Sequence, residues 1–197
     1  MDQANNINLQ VLNHKYYNQK AGSDNDYSVC VMLNQGEKHF LFTGDLEEEG
    51  EISLVQSNSL PQVDLYKAGH HGSKTSSTME LLSEVRPKVV CVCCCAGSAE
   101  YTDTPENQFP TKRFINNVSQ FTTRVYVTTL YVGGEKEFES FNGNIVVMAK
   151  RDDSVVGVYC SNNTLELWET DWFKEHRLKI CQELEEGEET LNSGWIS

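Results

Sequence analysis

Long apolar runs are missing from this chain: the longest, Val89 to Ala96, has eight residues, whereas a membrane-spanning helix needs about 18 or more. The reading is therefore a protein with no membrane partner. Basic residues are also scarce, with 16 Lys and Arg against 29 Asp and Glu and a formal charge of −13. That balance excludes a broad phosphate-neutralising surface, because nonspecific nucleic-acid affinity depends on cationic side chains displacing counterions. A polyanionic substrate would need bound cations to attract it. The N-terminus, MDQANNINLQ, lacks a basic segment followed by an apolar one, so no secretory signal is visible and a cytoplasmic location is expected. Spaced cysteine pairs are absent as well. The seven cysteines are an odd number, with Cys91, Cys93, Cys94 and Cys95 crowded together, and this does not describe a disulfide framework.

The 197 residues suffice for one ordinary domain with a core. Tyr27 to Leu33 and His39 to Thr43 read as β-strands joined by NQGEK. Leu46 to Asn58 reads as a helix, since its acids come first, where the helix dipole favours them, although Gly50 weakens it. A strand from Val63 to Ala68 follows Pro61. Ser77 and Glu80 have the form of a capping box, opening a helix that Pro87 ends. Val89 to Cys95 is the next strand, Pro110 opens a helix through Phe114, Ile115 and Val118, and Arg124 to Leu130 is a strand again. This alternation predicts a layered α/β domain over residues 1–160, with Asn144 to Met148 and Val155 to Cys160 as a closing hairpin. Residues 161–181 are expected to form a helical extension with Trp168, Trp172 and Phe173 as a docking stripe, and residues 182–197 an acidic, mobile tail.

Two glycine-rich segments stand out. Asp45 in FLFTGDLEEEGE and the pair His70 and His71 in KAGHHGSKTSS each lie just past the end of a predicted strand, where layered α/β proteins build their sites. A carboxylate with neutral imidazoles suits zinc, manganese or iron, and a bridging acid could hold two metals about 3.5–4 Å apart to hydrolyse a phosphate ester. Three ligands cannot close two such sites. Bland readings stand beside these: Asp45 as a helix cap, the histidines as a solvated loop, and Glu47 to Glu49 as a solvated helix start. The cysteine cluster does not read as zinc-binding, because alternate strand residues lie about 6.6 Å apart and sulfurs on one zinc roughly 3.8 Å. Buried, reduced thiols are the better account, with Cys95 the one nearest the site.

The order N-x-Y-S-V (Asn25 to Val29), FLFTGDLE (Phe40 to Glu47) and DLYKAGHHGSKTSS (Asp64 to Ser77) resembles the C-terminal half of a metallo-β-lactamase-fold hydrolase of the ComEC/Rec2 competence-protein type. The likeness spans roughly Leu9 to Val147 and is densest from Asn25 to Pro87. It implies an αββα sandwich whose metal centre, with up to two zinc or manganese ions, takes Asp45 as the shared carboxylate and His71 as a late ligand. His70 would be a second ligand or a catalytic group contacting the substrate phosphate, with Ser73, Thr75 and Ser76 able to donate hydrogen bonds to an anionic substrate. The family's opening H-x-H-x-D-H motif has no counterpart here, since only His14 and His39 precede Asp45. A downstream N-x-Y-G-H-P-like segment reads Asn107-Gln108-Phe109-Pro110, placing Phe109 where that histidine would stand. The expected function is a metal-dependent phosphodiesterase or nuclease, present as a portion of the fold and acting on a phosphate ester or nucleic acid. The alternative is a non-catalytic assembly module that forms a homo-oligomer or pairs with a missing N-terminal half.

Overall fold

The computed structural model describes residues 6–132, 138–150 and 153–178. Seven strands form one sheet in sequence order: β1 (Ile7–Val11), β2 (Val31–Gln35), β3 (Lys38–Phe42), β4 (Leu65–Lys67), β5 (Val90–Ala96), β6 (Val125–Tyr131) and β7 (Phe138–Ser140). The pairs β1/β2, β2/β3 and β6/β7 are antiparallel, while β3, β4, β5 and β6 run parallel. The helices α1 (Glu48–Ser57), α2 (Met79–Val85) and α3 (Lys112–Val118) occupy the crossovers between those parallel strands, as parallel pairing requires. A separate hairpin, β8 (Ile145–Met148) with β9 (Gly157–Cys160), forms a second small sheet. The fold is thus α/β, a mixed sheet flanked by helices.

Alternation along the strands divides the core in two. Leu41, Tyr66, Val90, Val92 and Val127 pack with Leu54, Leu81, Leu82, Phe114 and Val118 of the helices. Their strand neighbours Phe40, Leu65, Cys91 and Tyr126 point the other way and pack against Ile145, Val147 and Val158 of the hairpin. Gly50, which weakens α1 by propensity, is required by contact: a Cβ there would lie 2.3 Å from Leu46 Cδ1. That methyl group occupies the side chain's place.

Several sequence expectations shift. Strand β2 starts at Val31 rather than Tyr27, because Asp24–Tyr27 form a 3₁₀ turn capped by the Ser23 hydroxyl, with Asp26 buried and accepting from the Glu47 amide. The cap of α2 is Thr78, which accepts from the Leu81 amide, and not Ser77. Thr111 rather than Pro110 caps α3. Strands β1 and β7 were not foreseen. In place of one long helix after residue 161, the chain makes a 3₁₀ turn (Leu167–Glu169), a short α4 (Asp171–Phe173) and a π turn (Lys174–Leu178). Thr170 causes the break: its hydroxyl donates to the Leu167 carbonyl and accepts from the Phe173 amide, ending one turn and starting the next. Leu167, Trp172 and Phe173 nonetheless join the main core, whereas Trp168 stays 40 % exposed. The rest of the expected 161–181 extension and the 182–197 tail lie outside the described residues. No helix among the described residues is long and apolar enough to cross a membrane.

Candidate functional site

Strands β3 and β4 are parallel neighbours, so the loops that leave their carboxyl ends emerge side by side. The first carries Thr43-Gly44-Asp45 and the second Gly69 to Gly72. They are stitched together. Gly44 adopts φ +60°, its carbonyl accepts from the His70 amide at 3.0 Å, and the Asp45 amide donates to the Ser28 hydroxyl at 2.9 Å. A Cβ on Gly44 would lie 2.8 Å from that hydroxyl. His70 and His71 both sit in the left-handed region, at φ 43° and 56°, which costs a non-glycine residue on the order of 1 kcal/mol or more and clusters at functional sites.

The strained turn aims the two imidazoles at different acids. His71 Nδ1 donates to the Cys93 carbonyl at 2.7 Å and its Nε2 lies 3.8 Å from Asp45 Oδ1. The carbonyl thereby fixes the orientation of the ring and leaves Nε2 facing the carboxylate. His70 Nδ1 lies 3.7 Å from Glu47 Oε1, and the Thr75 hydroxyl stands 3.3 Å from each of them. Asn25 donates to the same Glu47 oxygen at 3.3 Å, and Ser73 and Thr75 share a hydroxyl contact at 3.1 Å. The structure therefore brings Asp45, His70, His71 and Thr75 to one rim and adds Glu47 and Asn25, which sequence reasoning missed. Glu47 read as part of a solvated helix start. The available signal was its place two residues beyond Asp45 on the same loop.

Phe109 closes the rim, its ring centroid 6.1 Å from His70 and 6.3 Å from His71, with the Tyr101 ring tilted against it at 5.4 Å. The loop that carries it is held by buried Arg177, which donates to the carbonyls of Gln108 and Pro110, on either side of Phe109. Pro110 in turn leaves no room at Gly72, where φ is +78° and a Cβ would lie 2.9 Å from the proline's own. Gly72→Ala is expected to destabilise the protein by about 2 kcal/mol through strain and contact together, read as a drop of roughly 4–8 °C in a calorimetric melting temperature.

Whether these donors suit a metal can be judged from their number. Among the described residues no three His, Cys, Asp or Glu side chains converge on a common point. The rim offers two pairs, whereas a catalytic zinc takes three protein ligands. The donor types fit a transition metal, but the donor count does not. The thiols add nothing, since burial pushes Cys91 up to about 12 and raises Cys94 as well, leaving both protonated and inert. Cys93, expected to be buried, is exposed, and its carbonyl rather than Cys95 reaches the site. A register shift in β5 between Val92 and Cys95 is responsible.

Comparison with known proteins gives this geometry a context. Residues 21–96 match the model of the metallo-beta-lactamase superfamily. Recombination protein 2 of Haemophilus influenzae is 35% identical over 86 residues, 44% of this chain and 10% of that protein. ComE operon protein 3 of Bacillus subtilis is 34% identical over 70 residues, 36% of this chain and 9% of the relative. The uncharacterized protein YcaI of Escherichia coli is 35% identical over 66 residues, 33% of this chain and 9% of its own length. The matched segments thus span about a tenth of each relative. Both glycine-flanked loops and the two strands beneath them fall inside the matched range, so over residues 21–96 this chain is similar to the metallo-beta-lactamase superfamily, and the relatives it resembles there include Recombination protein 2 and ComE operon protein 3.

Proposed function

We propose that this chain carries the aspartate- and histidine-bearing part of a metal-dependent phosphoester hydrolase, and that the remaining ligands come from another polypeptide segment. The observation behind this reading is the 3.8 Å approach of Asp45 Oδ1 to His71 Nε2 across two adjacent loops. Asp45 and His71 are the pair placed to share a zinc or manganese ion. His70 and Thr75 are placed to contact a phosphate, with Glu47 and Asn25 holding them in register. Two protein donors do not retain a cation against water, so no hydrolytic step is assigned to the chain alone.

Metal titration tests the reading. After gel filtration the chain should retain less than about a tenth of an equivalent of Zn²⁺ or Mn²⁺ and should not turn over bis(p-nitrophenyl) phosphate. During titration, Mn²⁺ should still broaden the His71 imidazole resonances, with an apparent affinity that Asp45→Ala weakens by about tenfold or more. Broadening that is absent, or indifferent to Asp45→Ala, sinks the proposal.

A second reading, a protein-binding module, has its own observation. In register with Leu33 and Val31, Leu9 and Val11 extend the hairpin-covered face of the sheet beyond the hairpin, and they are 66 % and 59 % exposed. A cavity of about 510 Å³ beside Phe40, Phe42, Leu65 and Ile145 shows that the hairpin does not fill this face. An uncovered apolar face of this kind favours association. Light scattering is expected to show a mass that rises with concentration, and Leu9→Glu should return it to that of a monomer. A clean monomer with low dye binding counts against this reading.

A further inference from the structure

The deepest charged side chain near the site does not touch it. Glu51 is fully buried. It reaches from α1 beneath the start of α2, where one carboxylate oxygen accepts from the Ser77 amide and the other from the Thr78 amide, each at 2.8 Å. Ser77 is itself left-handed, at φ 55°. Its hydroxyl lies 3.0 Å from the Tyr66 hydroxyl, which accepts from the Gly69 amide at 2.9 Å, while the Ser76 hydroxyl donates to the Gly69 carbonyl at 2.8 Å. Both polar groups of the residue preceding His70 are therefore gripped by a buried network anchored on Glu51. No atom fits at Gly69 either: a Cβ would lie 2.9 Å from both the Thr43 and Tyr66 hydroxyl oxygens and 3.4 Å from Glu51 Oε1.

We infer that Glu51 is a positioning residue that, acting through Ser77 and Tyr66, holds the His70–His71 turn in the left-handed shape that directs its imidazoles to Asp45 and Glu47. The inference deepens the hydrolase reading and rests on it for its functional meaning. Helix capping alone does not account for Glu51. Thr78 already accepts from the Leu81 amide as the cap of α2, and the Glu51 carboxylate is continued by the hydroxyl chain toward Gly69. Left-handed backbone at two consecutive non-glycine residues persists only where the surroundings over-determine it; the Gly44 carbonyl holds the His70 amide and Thr111 the Gly72 carbonyl, and this network supplies the grip on Gly69 at the start of the turn.

The test is amide hydrogen exchange by NMR on the full chain, with Glu51→Gln and Tyr66→Phe. Glutamine keeps the shape but presents an NH₂ to one backbone donor; phenylalanine leaves Glu51 in place and removes the hydroxyl that accepts from the Gly69 amide. Exchange at Gly69 is expected to quicken by about tenfold or more in both variants, while Val92 and Val127 of the central strands change by less than about twofold. The His70 and His71 ring resonances, shifted by Phe109, should move toward their values in an unstructured peptide. In Tyr66→Phe the Thr78 amide should stay as protected as in the unaltered chain. Exchange that rises uniformly through the sheet, or a Gly69 amide that does not respond, overturns the inference and leaves Glu51 a stability residue only. Loss of the Mn²⁺ response at His71 in the unaltered chain would instead remove the hydrolase reading and leave the positioning result standing.

Discussion

Phe114→Ala is expected to lower the unfolding free energy by about 3–5 kcal/mol, the range for removing a fully buried aromatic ring from a packed core. The ring is completely inaccessible in the centre of the main core. Its Cδ1 lies 3.4 Å from where a Cβ on Gly72 would stand, so it forms the floor directly beneath the histidine turn. Helix α3, which carries it, is tied to the same turn from above by the Thr111 amide and hydroxyl, both donating to the Gly72 carbonyl. Truncation leaves a void that cannot collapse without drawing the turn downward. The penalty should therefore sit at the upper part of the range. Urea unfolding followed by circular dichroism measures it. A loss below about 1.5 kcal/mol, the size of a tolerated apolar swap, would mean that the turn follows the cavity inward and is not rigidly held.

Phe114 was legible in the sequence as a core residue because helical periodicity places it with Ile115 and Val118 on one side. Asp45, His70 and His71 were legible for a different reason. Each lies in a short glycine-flanked loop just after an apolar strand, and parallel neighbours put such loops at one edge. What could not be read is whatever depends on partners distant in sequence. Glu47 looked like any acid at a helix start until the β4 loop brought His70 and Thr75 against it, and Glu51 shows its role only through Ser77 and Thr78, 26 and 27 residues further on. Strand β1 was legible in principle, since Ile7, Leu9 and Val11 alternate with Asn8 and Gln10 as a strand's side chains do; the segment is short and lies at the sheet edge, where only pairing with β2 defines it. The helical extension expected over residues 161–181 fails in its described part because the spacing of Trp168 and Trp172 suits a helix while Thr170 between them caps a new turn.

The other large expected effect is a dependence of stability on pH that belongs to Glu51. Burial pushes its carboxyl up from 4.5 to about 7, against the pull of the Thr78 and Ser77 amides. The folded chain therefore holds this proton up to about neutrality, whereas the unfolded chain releases it near 4.5. Between those values folding binds a proton, so stability from this group is fully present below about 4.5, falls as the pH rises, and is lost once it passes about 7. At about 1.4 kcal/mol per unit over the interval from 4.5 to about 7, the fall is at most about 3–4 kcal/mol. Glu51→Gln cannot titrate, so the difference in unfolding free energy between the unaltered chain and this variant should drift by about 2–3 kcal/mol, in favour of the variant, from pH 5 to pH 8. The neighbours that face Glu51 do not confound the comparison. The Cys30 thiol is pushed up to about 12 and the Tyr66 hydroxyl is raised further, so neither ionises in this range, and Glu48 raises Glu51 only as the smallest contribution. Urea titrations of both proteins at the two pH values decide it. A difference constant to within about 0.5 kcal/mol would show that the two amide donors outweigh burial and keep Glu51 ionised throughout.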